Sequence, residues 1–391
     1  MAVSFETLAV IVLAGLGGPL LAIAGRRRFV PVVIGELLAG VLIGPEALGA
    51  VDPANGTVTL LGDIGFAMLM LTVGMHLPLR DPRLAGSLRS GAWVAAIVAV
   101  LAVPGGLLAS AVAGTGHAAV YAVLLASGSA AVLLPAFQEA GVSSGEVMTV
   151  MAQVTVADLV TIVSVPVVLQ PARAGNAALG GVLVAAAVLA LLAVSRLLAS
   201  RHEVHRLRRL SKQRRWVLDL RLSLLVLFAL GWVAQKSGTS ILIAGFGAGV
   251  MVAVLGGPHR LSTQMRGVAD GFFIPLYFVV LGARLDLVGF FAHPGMLALA
   301  AALACVNTAI RLLAAVITGH SSAAALAASA QLGVPAAVAS LGLAEHVLAP
   351  ATATAIILAA LVSLAICTVG VELLVARAET AGPLSAGAAA P

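Results

Sequence analysis

Residues 153–167 read QVTVADLVTIVSVPV, and the stretch contains one acid, Asp158. It lies inside an apolar run, 145–170, with Asp158 thirteen positions from one end and twelve from the other. At about 1.5 Å per residue, that run forms a helix long enough to cross a bilayer of about 30 Å, with the acid near the midplane. A carboxylate at that depth costs about 3 kcal/mol or more unless it is paired, hydrated or protonated. An apolar helix that keeps such a group predicts a membrane protein built around it.

Composition agrees. The chain has 391 residues, of which 61% are hydrophobic and 10% charged, and its mean hydropathy is +1.11. A soluble domain of this length is excluded. The N-terminus, MAVSFETLAVIVLAG, has no basic region ahead of its apolar stretch, so it is expected to be a first spanning helix and not a cleaved signal. Cys305 and Cys367 both fall in apolar segments as small core residues. Neither a disulfide framework nor a cofactor is called for.

Thirteen apolar segments follow one another, at about 4–24, 30–48, 60–78, 91–114, 118–138, 145–170, 177–199, 217–236, 238–257, 268–286, 293–316, 320–343 and 351–376. An all-α polytopic fold of about 13 transmembrane helices is therefore expected. Of 22 basic residues, 18 fall on one side of this arrangement, 3 on the other and 1, Arg311, inside a segment. The net charge of +6 thus reflects cytoplasmic loops obeying the positive-inside rule, not a nucleic-acid partner. The rule places the N-terminus outside and the C-terminus inside, and a multi-pass protein of the plasma membrane is expected. The polar stretch 201–215, RHEVHRLRRLSKQRR, reads as an interfacial segment joining two halves of the bundle, with anionic lipid as one contact. Residues 377–391 read as a disordered tail, and no soluble domain is expected.

Few ionisable groups lie well inside the segments: Glu36, Asp63, Asp158 and Arg311. Thr155 and Thr161 share a helical face with Asp158. Glu36 sits in VVIGELLAGVLIGP, where Gly35, Gly40 and Gly44 form a small-residue face; it reads as an acid at a domain boundary. Asp63 reads as stabilising a helix N-terminus. Arg311 should face a partner or a polar cavity, because a lone buried guanidinium is costly.

Two segments look interrupted: LLASGSAAVLLPAF, with Ser127, Gly128, Ser129 and Pro135, and AASAQLGVPAAVASLG, with Gln331, Gly333 and Pro335. Glycine and proline weaken the helix ladder. A pair of breaks at corresponding places in two halves predicts discontinuous helices around a midplane site, with half-helix dipoles facing each other. Negative half-helix ends there need a cation and positive ends an acid, and Arg311 and Asp158 answer those needs.

The chain resembles the monovalent cation:proton antiporters, in the branch of Kef-type potassium-efflux proteins and bacterial sodium/proton exchangers. The matching stretches are VVIGELLAGVLIGP, LLGDIGFAMLMLTVGMHL, LLASGSAAVLLP, VADLVTIVSVPVVL and DGFFIPLYFVVLGARLDL, and the resemblance as a whole covers about 30–370. The resemblance implies inverted repeats, two discontinuous crossing helices, a homodimer and elevator-like alternating access. It assigns a dimer scaffold to about 4–78 and 217–286, a moving core to about 91–170 and 293–376, and a linker helix to 177–199. Asp158 falls where the family carries its ion-binding aspartate and Arg311 where it carries a basic residue. The residue before the aspartate, usually Asp, Asn or Gln, is Ala157, and His76 replaces an acid near the end of the third helix.

The function expected is not enzymatic. It is antiport of Na+ or K+ against H+, with Asp158 binding cation and proton in turn and Thr155, Ser127 and Ser129 as further oxygen ligands. Gly128, Pro135, Gly333 and Pro335 set the helix breaks, and Arg311 and Glu36 supply supporting charge. With one carboxylate, the exchange should be electroneutral. The alternatives are proton-coupled export of an organic solute and a non-transporting membrane component with a decayed ion site.

Overall fold

The computed structural model describes residues 5–24, 32–77, 82–142, 144–199, 218–237, 239–255 and 259–380. The interfacial segment expected at 201–215 lies outside them, as does 381–391 of the expected tail. Among the described residues every regular element is a helix. Ten helical stretches are long and apolar enough to cross a membrane. The three shorter apolar helices Val32–Ile43, Ile241–Leu255 and Gly333–Ala344 fill the remaining places in the order of thirteen segments. The protein is a multi-pass membrane protein.

The helices run α1 (Phe5–Gly15), α2 (Gly17–Ala24), α3 (Val32–Ile43), α4 (Gly56–Met75), α5 (Pro82–Ala113), α6 (Ala118–Ala126), α7 (Ala130–Glu139), α8 (Gly145–Leu169) and α9 (Ala174–Ala199). They continue with α10 (Leu218–Lys236), α11 (Ile241–Leu255), α12 (His259–Val268), α13 (Ile274–Ala283), α14 (Leu287–Ala292), α15 (Pro294–Thr318), α16 (Ser322–Ala327), α17 (Gly333–Ala344) and α18 (Pro350–Thr380). A π turn, Ala269–Phe273, joins α12 to α13. The last helix continues to Thr380, four residues past the end of the bundle expected at 376.

The elements start and stop where local chemistry tells them to. Asn55 caps α4 by accepting the Thr57 N–H at 3.0 Å, and Ser144 caps α8 by accepting the Val147 N–H at 3.2 Å. Helix α15 ends on Gly319 in the left-handed conformation, φ 73°. The N-terminal role expected for Asp63 belongs instead to Asn55. Asp63 lies seven residues past Gly56, too deep for the free first-turn N–H groups to reach.

Glycine seams bring the helices close. Gly40 of α3 faces the backbone of Val279 and Gly282 in α13, and Gly282 in turn faces Leu37 and Gly40. Gly35 lies against Gly17 and Gly18. A Cβ at these positions would meet backbone atoms, so the small-residue face read from VVIGELLAGVLIGP is an interhelical contact. Gly74 of α4 meets Gly249 of α11 in the same manner.

One three-part pattern occurs twice. A long helix (α5), an interrupted one (α6 and α7) and a long one (α8) recur in that order as α15, α16 with α17, and α18. Each helix of the second set comes seven crossings after its counterpart in the first, an odd number, so corresponding helices run in opposite senses through the membrane. The interruptions and the long helices beside them hold the polar residues of the interior.

Candidate ion-binding site

The first interruption is made by serines. Ser127 (φ −72°, ψ 163°) and Ser129 (φ −154°, ψ 94°) are both extended, so the ladder stops at Ala126 and restarts at Ala130. Pro135, expected at the break, sits inside α7 instead. The helix there has already restarted, so the proline removes one ladder bond without ending the helix. Gly128 lies directly against α8, where a Cβ would come within 2.7 Å of the Val154 side chain. Its lack of a side chain lets α8 approach the break. Asp158, one turn beyond Val154, is thereby set against the start of α7.

The carboxylate of Asp158 is buried, 2% exposed, and accepts the Ala130 N–H at 3.0 Å. The Gly128 backbone also faces it. This is the positive end of a half-helix meeting an acid, as the dipole argument requires. At the negative end, Arg311 donates from Nη2 to the Ser127 carbonyl and to the Leu125 carbonyl at 3.4 Å. Among the described residues, neither a hydrogen bond nor an ion pair joins Asp158 to Arg311.

The second interruption contributes a clamp. Gln331 donates from Nε2 to the Leu124 carbonyl at 2.7 Å and to Asn307 Oδ1 at 3.1 Å. Asn307 donates to the Ser329 carbonyl at 3.1 Å and to Ser363 Oγ at 3.2 Å, and its Oδ1 also receives Arg311 Nε at 3.5 Å. Gly333 opens α17 and Pro335 is its third residue. A proline there loses only an N–H that has no partner within the helix. The sequence reading named Gln331 at this break without giving it a partner, and missed Asn307, Ser329 and Ser363. The signal available was Asn307 one turn before Arg311, on the same face.

The oxygens around the first break and Asp158 divide into two groups. The Leu124, Leu125 and Ser127 carbonyls are occupied by Gln331 and Arg311, so the negative half-helix end already has its cation. The Ser127 hydroxyl donates to the Leu124 carbonyl at 2.7 Å. Ser129, 2% exposed, is the N-cap residue of α7, but its side chain does not cap. The Thr155 hydroxyl, one turn from Asp158, is buried without a partner among the described residues. Thr161 on the other side is occupied, donating to the Ala157 carbonyl at 2.7 Å.

A cavity of about 20 Å³ is lined in part by Thr149, Gln153, Arg311, Thr318 and His320. That is room for one water molecule. Arg311 Nη1 has no protein partner among the described residues, and this guanidinium lines the cavity.

Glu36 belongs to a different neighbourhood. It is 3% exposed and lies on α3 where that helix passes α2 at Gly18. Cys367 is buried, but Cys305, expected in the core, is exposed on the side of α15. Tyr277 of α13 donates to the Ala336 carbonyl of α17 at 3.0 Å.

A model of the sodium/hydrogen exchanger transmembrane family matches residues 9–377. The chain belongs to this family. Its relatives include the protein named "Probable Na(+)/H(+) antiporter GerT" of Bacillus cereus, 22% identical over 73% of this chain and 74% of the relative. Another is the "Na(+)/H(+)-K(+) antiporter GerN" of the same organism, 23% identical over 66% of each chain. Among solved structures, the sodium proton antiporter MjNhaP1 from Methanocaldococcus jannaschii superposes with a TM-score of 0.64, 17% identity and 95% of this chain covered, 98% of the other. That likeness supports the fold of this exchanger-family chain.

Proposed function

We propose that this exchanger-family protein carries Na+ or K+ in one direction and H+ in the other, one for one, with Asp158 binding each in turn. The observation that carries the reading is how the buried charges are distributed. Arg311 is engaged with backbone carbonyls, while among the described residues the hydrogen-bond partners of Asp158 are backbone N–H groups. The carboxylate's charge is left for a mobile cation or a proton. The Thr155 hydroxyl one turn away, without a partner among the described residues, and the Ser127 and Ser129 hydroxyls at the break supply neutral oxygen of the type alkali cations accept. Names of relatives include both sodium and potassium, and both cations belong in the test.

Coupling follows from competition at a single carboxylate. A site holding cation or proton, never both, couples the two fluxes without ATP when it faces the two sides in turn. In our reading the helices from α5 to α8 and from α15 to α18 form the moving core, and α1–α4 with α10–α13 form a homodimeric scaffold. The N-terminus is outside and the C-terminus cytoplasmic, in the plasma membrane. Arg311 and Gln331 keep the broken helices rigid while the core moves, and Glu36 sits in the scaffold.

The test is purified protein in liposomes with a pH-sensitive dye inside. A pulse of Na+ or K+ that collapses an imposed proton gradient supports the proposal. A response only to organic cations or solutes would assign proton-coupled export instead, and silence to every addition would assign a decayed site.

A further inference from the structure

The inner end of α5 carries an open groove of about 770 Å³ lined by Gly86, Arg89, Ser90, Ala92 and Trp93. Gly91, on the opposite face of the helix, is seated against Ala152 and Gln153 of α8, where a Cβ would come within 2.5 Å of the Ala152 side chain. Arg89 and Trp93, four residues apart, therefore share a face turned away from the protein. Trp93 is 67% exposed. Arg89 is exposed too, and among the described residues it makes no ion pair or hydrogen bond.

Helix length places this face in the membrane. The apolar stretch Gly86–Ala113 has 28 residues, about 42 Å of helix against about 30 Å of hydrocarbon. Measured back from Ala113, about twenty residues of helix fill the hydrocarbon and end next to Trp93. The indole then sits at the interface, where tryptophan is favoured. Arg89, about 6 Å further along, lies among the headgroups, with Ser90 beside it.

We propose that this groove binds the phosphate of an anionic phospholipid. The Arg89 guanidinium would grip the phosphate in a forked, two-bond geometry. Trp93 would lie along the glycerol and upper acyl chain, and the groove would hold the headgroup. The site is separate from Asp158 and Arg311.

The experiment keeps Trp93 as the single tryptophan, with Trp216→Phe and Trp232→Phe, and measures its quenching by brominated phosphatidylglycerol and brominated phosphatidylcholine. Anionic lipid should be preferred about five-fold, the effect of one basic residue near a charged leaflet. Arg89→Gln should abolish the preference and Arg89→Lys should lower it, because an ammonium keeps the charge but not the fork. Inorganic phosphate should not relieve the quenching. Equal quenching by both lipids, an unchanged preference in Arg89→Gln, a full preference in Arg89→Lys or displacement by inorganic phosphate would each overturn the assignment. Native mass spectrometry of the unaltered chain against Arg89→Gln gives the same comparison if the tryptophan substitutions prevent folding. Fewer retained phosphatidylglycerol adducts on the variant are expected, and equal numbers would overturn it.

Discussion

Asp158 and Arg311 serve opposite ends of one interrupted helix: the carboxylate accepts the Ala130 N–H at 3.0 Å, and the guanidinium donates to the Ser127 carbonyl three residues earlier. A half-helix presents N–H groups at its start and carbonyls at its end, each with partial charge. Two such ends facing the bilayer interior without partners would be costly. Here each has a side chain of opposite sign, and the two side chains need not neutralise each other.

Asp158→Asn should therefore fold and insert but not exchange. The amide oxygen still accepts from Ala130, while the group can no longer take up or release the proton. Wild-type flux from the purified variant in liposomes would remove Asp158 from the mechanism.

Arg311→Ala leaves the Leu125 carbonyl without its donor, at a cost of about 1–3 kcal/mol, and the Ser127 carbonyl with only the 3.5 Å contact from Gln331. A clear fall in melting temperature is expected, with Arg311→Lys falling between it and wild type. If the guanidinium also sets the field at Asp158, Arg311→Ala shifts the pH profile of exchange in protein that stays folded. An unaltered melting temperature together with an unaltered pH profile would refute both roles.

These two residues also mark how far the sequence could be read. The thirteen segments were legible because apolar runs of membrane length, separated by charge, have few other uses. The breaks were legible because Ser127–Ser129 and Gly333 with Pro335 weaken helices locally. Pro135 misled because a proline signals a lost hydrogen bond, and α7 tolerates one. Asp158 and Arg311 stood out as charges in hydrocarbon, but apart from the Asn307 side chain their hydrogen-bond partners among the described residues are backbone atoms. No residue type in a sequence reports which carbonyl is free. For the same reason Asn307, Gln331, Ser329 and Ser363 were not legible as one network, since that depends on how α15, α18 and the second break cross.

Tyr277→Phe tests the motion. The bond from Tyr277 to the Ala336 carbonyl joins α13 to α17, and these belong to scaffold and core in the proposed division. If the core slides, the bond breaks in each cycle. Its loss should lower the melting temperature slightly, by about 1 kcal/mol of stability, and raise turnover. Lower stability with unchanged turnover would mean that the contact persists through transport.

Glu46 gives a stability test away from the membrane. Its Oε2 accepts the Leu287 and Val288 N–H groups at 3.0 and 3.4 Å. Burial, and then the hydrogen bond shared with Asp286, pushes its carboxyl above the usual carboxylate range. A raised acid favours the folded state most when it is protonated. Its contribution is thus full below the ordinary glutamate value and lost as pH rises through the raised one. Glu46→Gln, which cannot ionise, should match wild type in acid and melt higher in alkali. Equal melting temperatures at every pH would show that Glu46 is not coupled to folding.

The proposed electroneutral exchange rests on a charge count. Ala157 supplies no second acid, and a guanidinium does not release its proton at accessible pH. One cation for one proton moves no net charge, so a membrane potential, worth about 2.3 kcal/mol per charge per 100 mV, should neither drive nor brake exchange. Rates that change steeply under a valinomycin clamp would show that a second group carries charge.

The most direct measurement of the central claim is the apparent cation affinity of the wild-type protein as a function of pH, from about pH 5 to pH 9. If one carboxylate serves both ions, protons displace the cation, and the affinity weakens by up to ten-fold per unit as pH falls into the range where Asp158 is protonated. An affinity that stays flat across the whole range would contradict the account, because cation and proton would then occupy different groups.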